Sequence, residues 1–325
     1  MPENVLYVAG ATGYIGREVV KRALKRGHTV HASVRPNSEI ALPQNDRLII
    51  DVIQTERDKT AFNIPMGASV ISCISSRTGT ARDAHNIDYQ MNMALLNCAR
   101  ASDANVFLML SAICVQKPKL AFQHAKLKFE DALQTSGLNY SIVRPTAYFK
   151  SLTGQIKRVE KNLPFLFFGD GTQTACTPIS KRDLAEFMLN TVQQPASWNK
   201  ILPIGGPQPA LTPADMAAII SKIYNKPSAT RSVSPKIFDV LRTLIAPLRP
   251  ISRWAREKSE LMNIGKYYAT ESMLVWDEAS GHYDAKRTPS TGQDTFYDHV
   301  LKMRETGSVE TVDNDTRLFL SLIHI

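Results

Sequence analysis

VLYVAGATGYIGREVVKRALK, residues 5–25, decides the fold. Val5 to Ala9 form a continuous apolar run bounded by glycine, the pattern of a short strand buried on both faces. Gly10, Gly13 and Gly16 follow at even spacing. The first permits a tight turn. The second lets the backbone approach a pyrophosphate, and the third lets helix and strand pack closely. From about Tyr14 to Arg26 the period changes to that of a helix. Ile15, Val19, Ala23 and Leu24 mark its apolar stripe, while Arg17, Lys21, Arg22 and Lys25 face water and Gly27 stops it. Strand, glycine turn and helix together place anionic charge at a helix N-terminus, where free N–H groups and the helix dipole favour it. The expectation is a dinucleotide site built from Gly10, Thr12, Gly13, Tyr14, Ile15 and Gly16.

The same alternation continues. TVHASV (29–34), RLIIDV (47–52), SVISCI (69–74), NVFLMLS (105–111) and YSIVRP (140–145) read as strands. A helix is expected from about Asp88 to Ala101, and another carrying Phe122 and Lys126. The fold class is therefore α/β, a doubly wound parallel sheet of the Rossmann kind covered on both faces. After Pro145 the rhythm loosens. FGDGTQ (168–173) is a turn, and PISKRDLAEFMLNTV (178–192) reads as an N-capped helix returning to the first domain. From about 208 onward two helical patterns lie between Pro-rich stretches. The expected organisation is a nucleotide-binding domain of 1–145 joined by 178–204. A smaller, mostly helical C-terminal substrate lobe takes 146–177 and 205–304, and a tail runs from 305 to 325.

The 325 residues suit one large domain, or one large and one small. A formal net charge of +9 raises nucleic acid, a membrane surface or an anionic ligand as partners. The excess Lys and Arg are spread along helices rather than interleaved with aromatics, which disfavours nucleic acid and suits a polyanionic cofactor. Cys73, Cys98, Cys114 and Cys176 have neither metal-ligand nor redox spacing, so they read as small hydrophobes and no metal site is expected. MPENVLYVAGATG enters a strand directly, without a basic and apolar leader, and no apolar run reaches membrane-spanning length. The expected address is cytoplasmic.

The end of the second strand, ASVRP, selects the nucleotide. An NAD site carries a carboxylate near this point to accept from the ribose hydroxyls. Here Ser33 and Arg35 stand instead. A guanidinium pairs with a ribose phosphate, so NADPH is expected over NADH. Asp51, at the end of the third strand, is a candidate for the adenine side, with a loop cap as the rival reading. Ser75 and Ser111, at the ends of the fourth and fifth strands, complete the expected cofactor set.

The glycine turn, SVRP and a Lys on the helix after LSAICV resemble the short-chain dehydrogenase/reductase superfamily. Its usual site pairs a Tyr with a Lys four residues later, plus an upstream Ser. The resemblance places that Ser at or near Ser111 and the Lys at Lys126, but the Tyr position holds Phe122. This departure marks an atypical, NmrA-like branch. CVQKPKLAFQHAKLKFE (114–130), YSIVRPTAYFKSLTGQI (140–156), FGDGTQTACTPISKRDLAEF (168–187) and IGKYYATESMLVWDEASGHYDAKRTPSTGQDT (264–295) narrow the match. Together they resemble the NADPH-dependent divinyl chlorophyllide a 8-vinyl-reductases of chlorophyll and bacteriochlorophyll synthesis. The resemblance implies reduction of a vinyl group to ethyl on a tetrapyrrole.

Under that implication Lys126 bonds the nicotinamide ribose, and Phe122 offers apolar surface on the same helix face. Tyr148, after the RPT turn, is a candidate proton donor; the competing reading is an amphipathic Tyr at a lobe interface. His124 points off that face. Lys150, Lys157 and Arg158 are candidates for a substrate propionate. Residues 236–258 carry Ile237, Leu241, Leu244, Ile245 and Leu248 at helical spacing beside Arg242, Arg249, Arg253 and Arg256. A core helix of the lobe and a helix lying on a membrane surface both fit that pattern. The rival function is a non-catalytic NADP(H)-binding redox sensor or complex-assembly protein, which the missing Tyr also suits. Oligomeric state is left open.

Overall fold

The computed structural model describes residues 5–36, 38, 41–56, 59–227 and 229–307. The chain divides into two compact units. The first comprises the chain up to Ser76, Arg82–Pro145 and Lys181–Ile204. The second comprises Arg77–Ala81, Thr146–Ser180 and the described residues from Gly205 onward.

The first unit is built on a seven-stranded sheet in which every neighbouring pair is parallel. Its order runs Lys200–Ile204, Tyr140–Pro145, Phe107–Leu110, Ser69–Ser72, Val5–Ala9, Thr29–Val34, Leu48–Val52. The chain starts in Val5–Ala9, winds outward one way, then returns beside its first strand at Ser69–Ser72 and winds the other way. A crevice therefore opens at the carboxyl ends of these two strands, the switch point where such sheets bind ligands. Helix Tyr14–Lys25 buries Ile15, Val19, Val20, Ala23 and Leu24. The helix Lys181–Gln193 packs against it, with Arg22 and Arg26 pairing Glu186 and Gln193 bonding His28 at 2.8 Å. One core of this unit gathers Tyr7, Phe107, Phe129, Leu133 and Ile142.

Two elements depart from the sequence reading. The seventh strand, Lys200–Ile204, pairs in parallel with Tyr140–Pro145 but was not foreseen as a strand. Its Pro203 reads as a strand breaker; at a sheet edge the missing N–H need not face a neighbour. The helix expected from Asp88 begins earlier, at Ala81. Over Ala84–Met91 it is π-helical, with i→i+5 bonding, before becoming an ordinary helix at Asn92–Ala101.

The second unit has helices Phe149–Glu160, Pro213–Tyr224, Ile237–Ile245, Arg253–Thr270 and Phe296–Thr306. Phe165–Phe168 pairs in parallel with Thr230–Val233, and Val275–Asp277 pairs antiparallel with His282–Asp284. Four helices thus follow residue 208 among the described residues, where two were expected. Pro247 and Pro250 break one amphipathic pattern into Ile237–Ile245 and Arg253–Thr270, and Ser252 caps the second piece. Thr295 caps Phe296–Thr306 by accepting from the Asp298 N–H. Phe238 packs with Met262 and Ala269; a Cβ on Gly265 would lie 2.7 Å from the Phe238 ring, so a bare backbone is needed there. Of the expected tail, residues 305–307 finish the last helix, and 308–325 lie outside the described residues.

Candidate active site

The glycine turn sits at the switch point. Gly10 has φ +75°, and a Cβ there would lie 2.8 Å from the Cys73 carbonyl carbon at the end of the neighbouring strand. A Cβ on Gly16 would overlap the Gly10 carbonyl oxygen and come within 2.9 Å of its carbon. The Gly13 N–H donates to the Gly10 carbonyl at 3.0 Å, which closes the turn, and Gly13 stands exposed at the helix N-cap. Nothing acidic occupies the first turn of that helix. This bare, amide-lined cradle fits a dinucleotide pyrophosphate. Thr12 and Tyr14 are half-buried beside it, Ile15 is buried in the core, and the Lys181 ammonium lies 5.4 Å from the Tyr14 ring centroid.

Arg35 is exposed just past the second strand, whereas Ser33 is buried. Asp51 is half-buried and bonded to His31 Nδ1 at 2.8 Å. Burial raises the Tyr7 hydroxyl well above its ordinary value, and the nearby Asp51 charge adds to it. Ser33 and Asp51 thus belong to a polar cluster on one face of the sheet.

The helix Ala121–Gln134 carries an unusual buried face. Gln123, Lys126, Phe129, Glu130 and Leu133 are all buried, and three of the five are polar. Gln123 accepts from the Lys119 and Leu120 N–H groups and donates to the Cys114 carbonyl, which clamps the helix start to the preceding turn. Lys126 Nζ lies 3.0 Å from Asp88 Oδ1. The same oxygen accepts from the Ser75 hydroxyl at 3.1 Å and the Ser76 N–H at 3.2 Å. Glu130 accepts from the Ser111 hydroxyl and pairs with Arg144 through both Nε and Nη2. Phe122 is half-buried and His124 exposed.

Ser75 and Lys126 therefore meet on one carboxylate, while the Ser111 hydroxyl is committed to Glu130. Asp88, Gln123, Glu130 and Arg144 were not singled out by sequence reasoning. The signal was present in Gln123, Lys126 and Glu130, polar residues three and four apart on the face that also carries Phe129 and Leu133.

In the second unit Tyr148 is half-buried at the start of Phe149–Glu160 and bridges to Ile179. Lys150 and Lys157 are half-buried, and Arg158 donates to the Pro164 carbonyl at 3.1 Å. The four cysteines are free; burial pushes the Cys176 thiol up to about 12, far from thiolate chemistry at neutral pH. No group of metal-ligating side chains occurs among the described residues.

A family model described as NAD(P)H-binding matches residues 10–195. The divinyl chlorophyllide a 8-vinyl-reductase of Arabidopsis thaliana is 42% identical, covering 94% of this chain and 77% of that protein. The chain belongs to the divinyl chlorophyllide a 8-vinyl-reductase family. The family's fold and a nicotinamide cofactor come with that membership. A photosystem II assembly factor of Guillardia theta is more distant, 27% identical over 62% of this chain and 64% of its own. Among solved structures, an NADPH-dependent quinone oxidoreductase of Escherichia coli in complex with NADPH superposes with a TM-score of 0.61. It is 17% identical and covers 92% of this chain and 99% of that one, a likeness of fold.

Proposed function

We infer that this protein reduces the 8-vinyl group of divinyl chlorophyllide a, or a close chlorophyll precursor, to ethyl, with NADPH as reductant. The observation that carries this reading is the 42% identity to the Arabidopsis reductase over 94% of the chain, both units included. The chemistry drawn from the bound nucleotide is a hydride. The glycine turn receives the pyrophosphate, and exposed Arg35 pairs with the 2′-phosphate. Lys126 holds the nicotinamide ribose, and Ser75 lies beside it on the shared carboxylate. Half-buried Phe122 offers its ring to the flat pigment. Lys150, Lys157 and Arg158 are candidate cations for a substrate propionate.

Phe122 is compatible with this chemistry. A ketone reductase generates an alkoxide that needs a proton at once, which a phenol beside a Lys supplies. Hydride addition to the outer carbon of a conjugated vinyl group leaves charge that spreads into the macrocycle. Protonation can follow from water or from Tyr148. The second reading, a non-catalytic NADP(H) sensor or assembly protein, draws on the weaker likeness to the assembly factor.

One assay tests the reading. Purified protein with divinyl chlorophyllide a should shift the pigment absorption when given NADPH and much less when given NADH. Arg35→Ser should remove roughly tenfold or more of that preference, the worth of a charge-assisted bond. Phe122→Tyr should leave the rate within about twofold, since a phenol there adds about nothing to a carbon-centred reduction. NADPH binding without turnover would instead favour the sensor.

We also propose contact with an anionic membrane surface. Helix Ile237–Ile245 turns Ile237, Phe238, Leu241 and Ile245 inward. It leaves Val240 and Leu244 open, the following turn exposes Leu248 and Ile251, and Trp254 is exposed at the start of the next helix, with Leu244 at 70% and Ile251 at 83%. Residues 236–258 carry six Lys or Arg against two Asp or Glu. Exposed aliphatics, a Trp and surplus basic charge suit the interface of acidic lipids. No helix among the described residues is long and apolar enough to cross a membrane. The protein should sediment with phosphatidylglycerol vesicles and not with neutral ones, and Ile251→Glu should release it. Equal recovery with both vesicle types would sink the proposal.

A further inference from the structure

We propose that Asp88 is the positioning residue for Lys126, fixing its ammonium group for the nicotinamide nucleotide; this rests on the reading of Lys126 given above. Three features of the first unit converge on it. The first is burial. Asp88 is 0% exposed and Lys126 4%, so the 3.0 Å ion pair between them is almost fully removed from water. A lone lysine at such a site would be held in place by nothing and would lack a counter-charge.

The second feature is backbone winding. Asp88 lies within the π-helical stretch Ala84–Met91, a geometry that is rare and concentrated at functional sites. The stretch is pinned from both sides. Asn92 donates its amide to the Ile87 and Asp88 carbonyls at 3.2 and 3.1 Å, and itself accepts from Ser72 at 2.6 Å, at the end of the strand beside the glycine turn. The widened turn thus ties the Asp88 backbone to the carboxyl end of the central strand Ser69–Ser72, beside the glycine turn.

The third feature is how the carboxylate is used. Oδ1 carries Lys126 Nζ, the Ser75 hydroxyl and the Ser76 N–H. Oδ2 is buried and has no partner among the described residues. A carboxylate serving only to stabilise the fold would gain by satisfying both oxygens, because a buried acceptor without a donor is costly. A carboxylate whose contacts all fall on the oxygen facing Lys126 and the Ser75–Ser76 segment, at the expense of the other oxygen, suits a group whose work is to hold the lysine ammonium.

The test is a double-mutant cycle on the full chain, read by NADPH titration and by steady-state kinetics. Lys126→Met should raise the NADPH dissociation constant roughly tenfold or more, the worth of one hydrogen bond to a charged group. Asp88→Asn keeps the side-chain shape and should raise the NADPH dissociation constant and KM several-fold while leaving the pigment KM unchanged. The double variant should bind NADPH no more weakly than Lys126→Met alone, because Asp88 acts through Lys126. If the two losses multiply, Asp88 acts independently and the proposal fails. If Lys126→Met binds NADPH like the wild type, the lysine reading beneath it fails as well, a distinguishable result. Should Asp88→Asn fold poorly, Asp88→Glu is the second variant. Its restored charge should recover binding toward wild type, and an NADPH affinity as weak as that of Lys126→Met would count against the proposal.

Discussion

Glu130→Ala should lower the stability of the nucleotide-binding unit by about 3–5 kcal/mol. Glu130 is 1% exposed, and its carboxylate is the shared acceptor of Arg144 and Ser111. Arg144 belongs to the strand Tyr140–Pro145, which lies between Phe107–Leu110 and Lys200–Ile204 in the sheet. Deleting the acid leaves a guanidinium and a hydroxyl without their acceptor. Because the Arg144 side chain keeps 18% of its surface, water relieves part of the loss, and the lower end of the range is expected. Urea denaturation should show the midpoint falling. Replacing both members of the pair, Glu130→Leu with Arg144→Met, should recover most of the stability, since apolar packing can substitute for a buried ion pair but half a pair cannot stand. A single variant that loses less than about 1 kcal/mol would mean solvent already carries the arginine.

Gly16→Ala should weaken dinucleotide binding. The added Cβ overlaps the Gly10 carbonyl oxygen, an atom of the rigid turn rather than the end of a flexible side chain. That oxygen also accepts the Gly13 N–H that closes the turn, so any shift travels through the amides proposed to face the phosphates. Overpacking of this kind costs about 1–3 kcal/mol. If it falls on the bound geometry, it corresponds to roughly 5- to 150-fold in affinity. Isothermal titration with NADPH should register the loss, with the pigment affinity unmoved. Unchanged binding would show that the turn relaxes without strain.

The first six strands of the sheet were legible because their signals are local. VLYVA, TVHASV and YSIVRP are short apolar or β-branched runs bounded by turn residues, and the glycine turn fixes the chain order around the switch point. Lys200–Ile204 was not legible, since Pro203 argues against a strand unless the chain is known to end at a sheet edge. The π-helical winding at Ala84–Met91 leaves no periodic trace in eight residues with mixed polarity. Lys126 was singled out through the resemblance to reductases that carry an aromatic four residues before a Lys. Its partner Asp88 could not be found, because 38 residues separate them and only the packing of two helices on one side of the sheet brings them together. Arg144, the partner of Glu130, was hidden for the same reason: polar pairs across elements have no sequence period. Residues 236–258 fitted both a core helix and a surface helix, and the structure gives the helix Ile237–Ile245 an inward apolar face and an open apolar edge.

The late return of Lys181–Ile204 bears on how the chain is made. Synthesis proceeds from the N-terminus, yet the last strand beside Tyr140–Pro145 emerges only after the excursion Thr146–Ser180 has been translated. Until then the nascent sheet carries an uncovered hydrogen-bonding margin, and Tyr14–Lys25 lacks the helix that will shield it. The complete seven-stranded sheet can therefore be assembled only after residue 204 has left the ribosome.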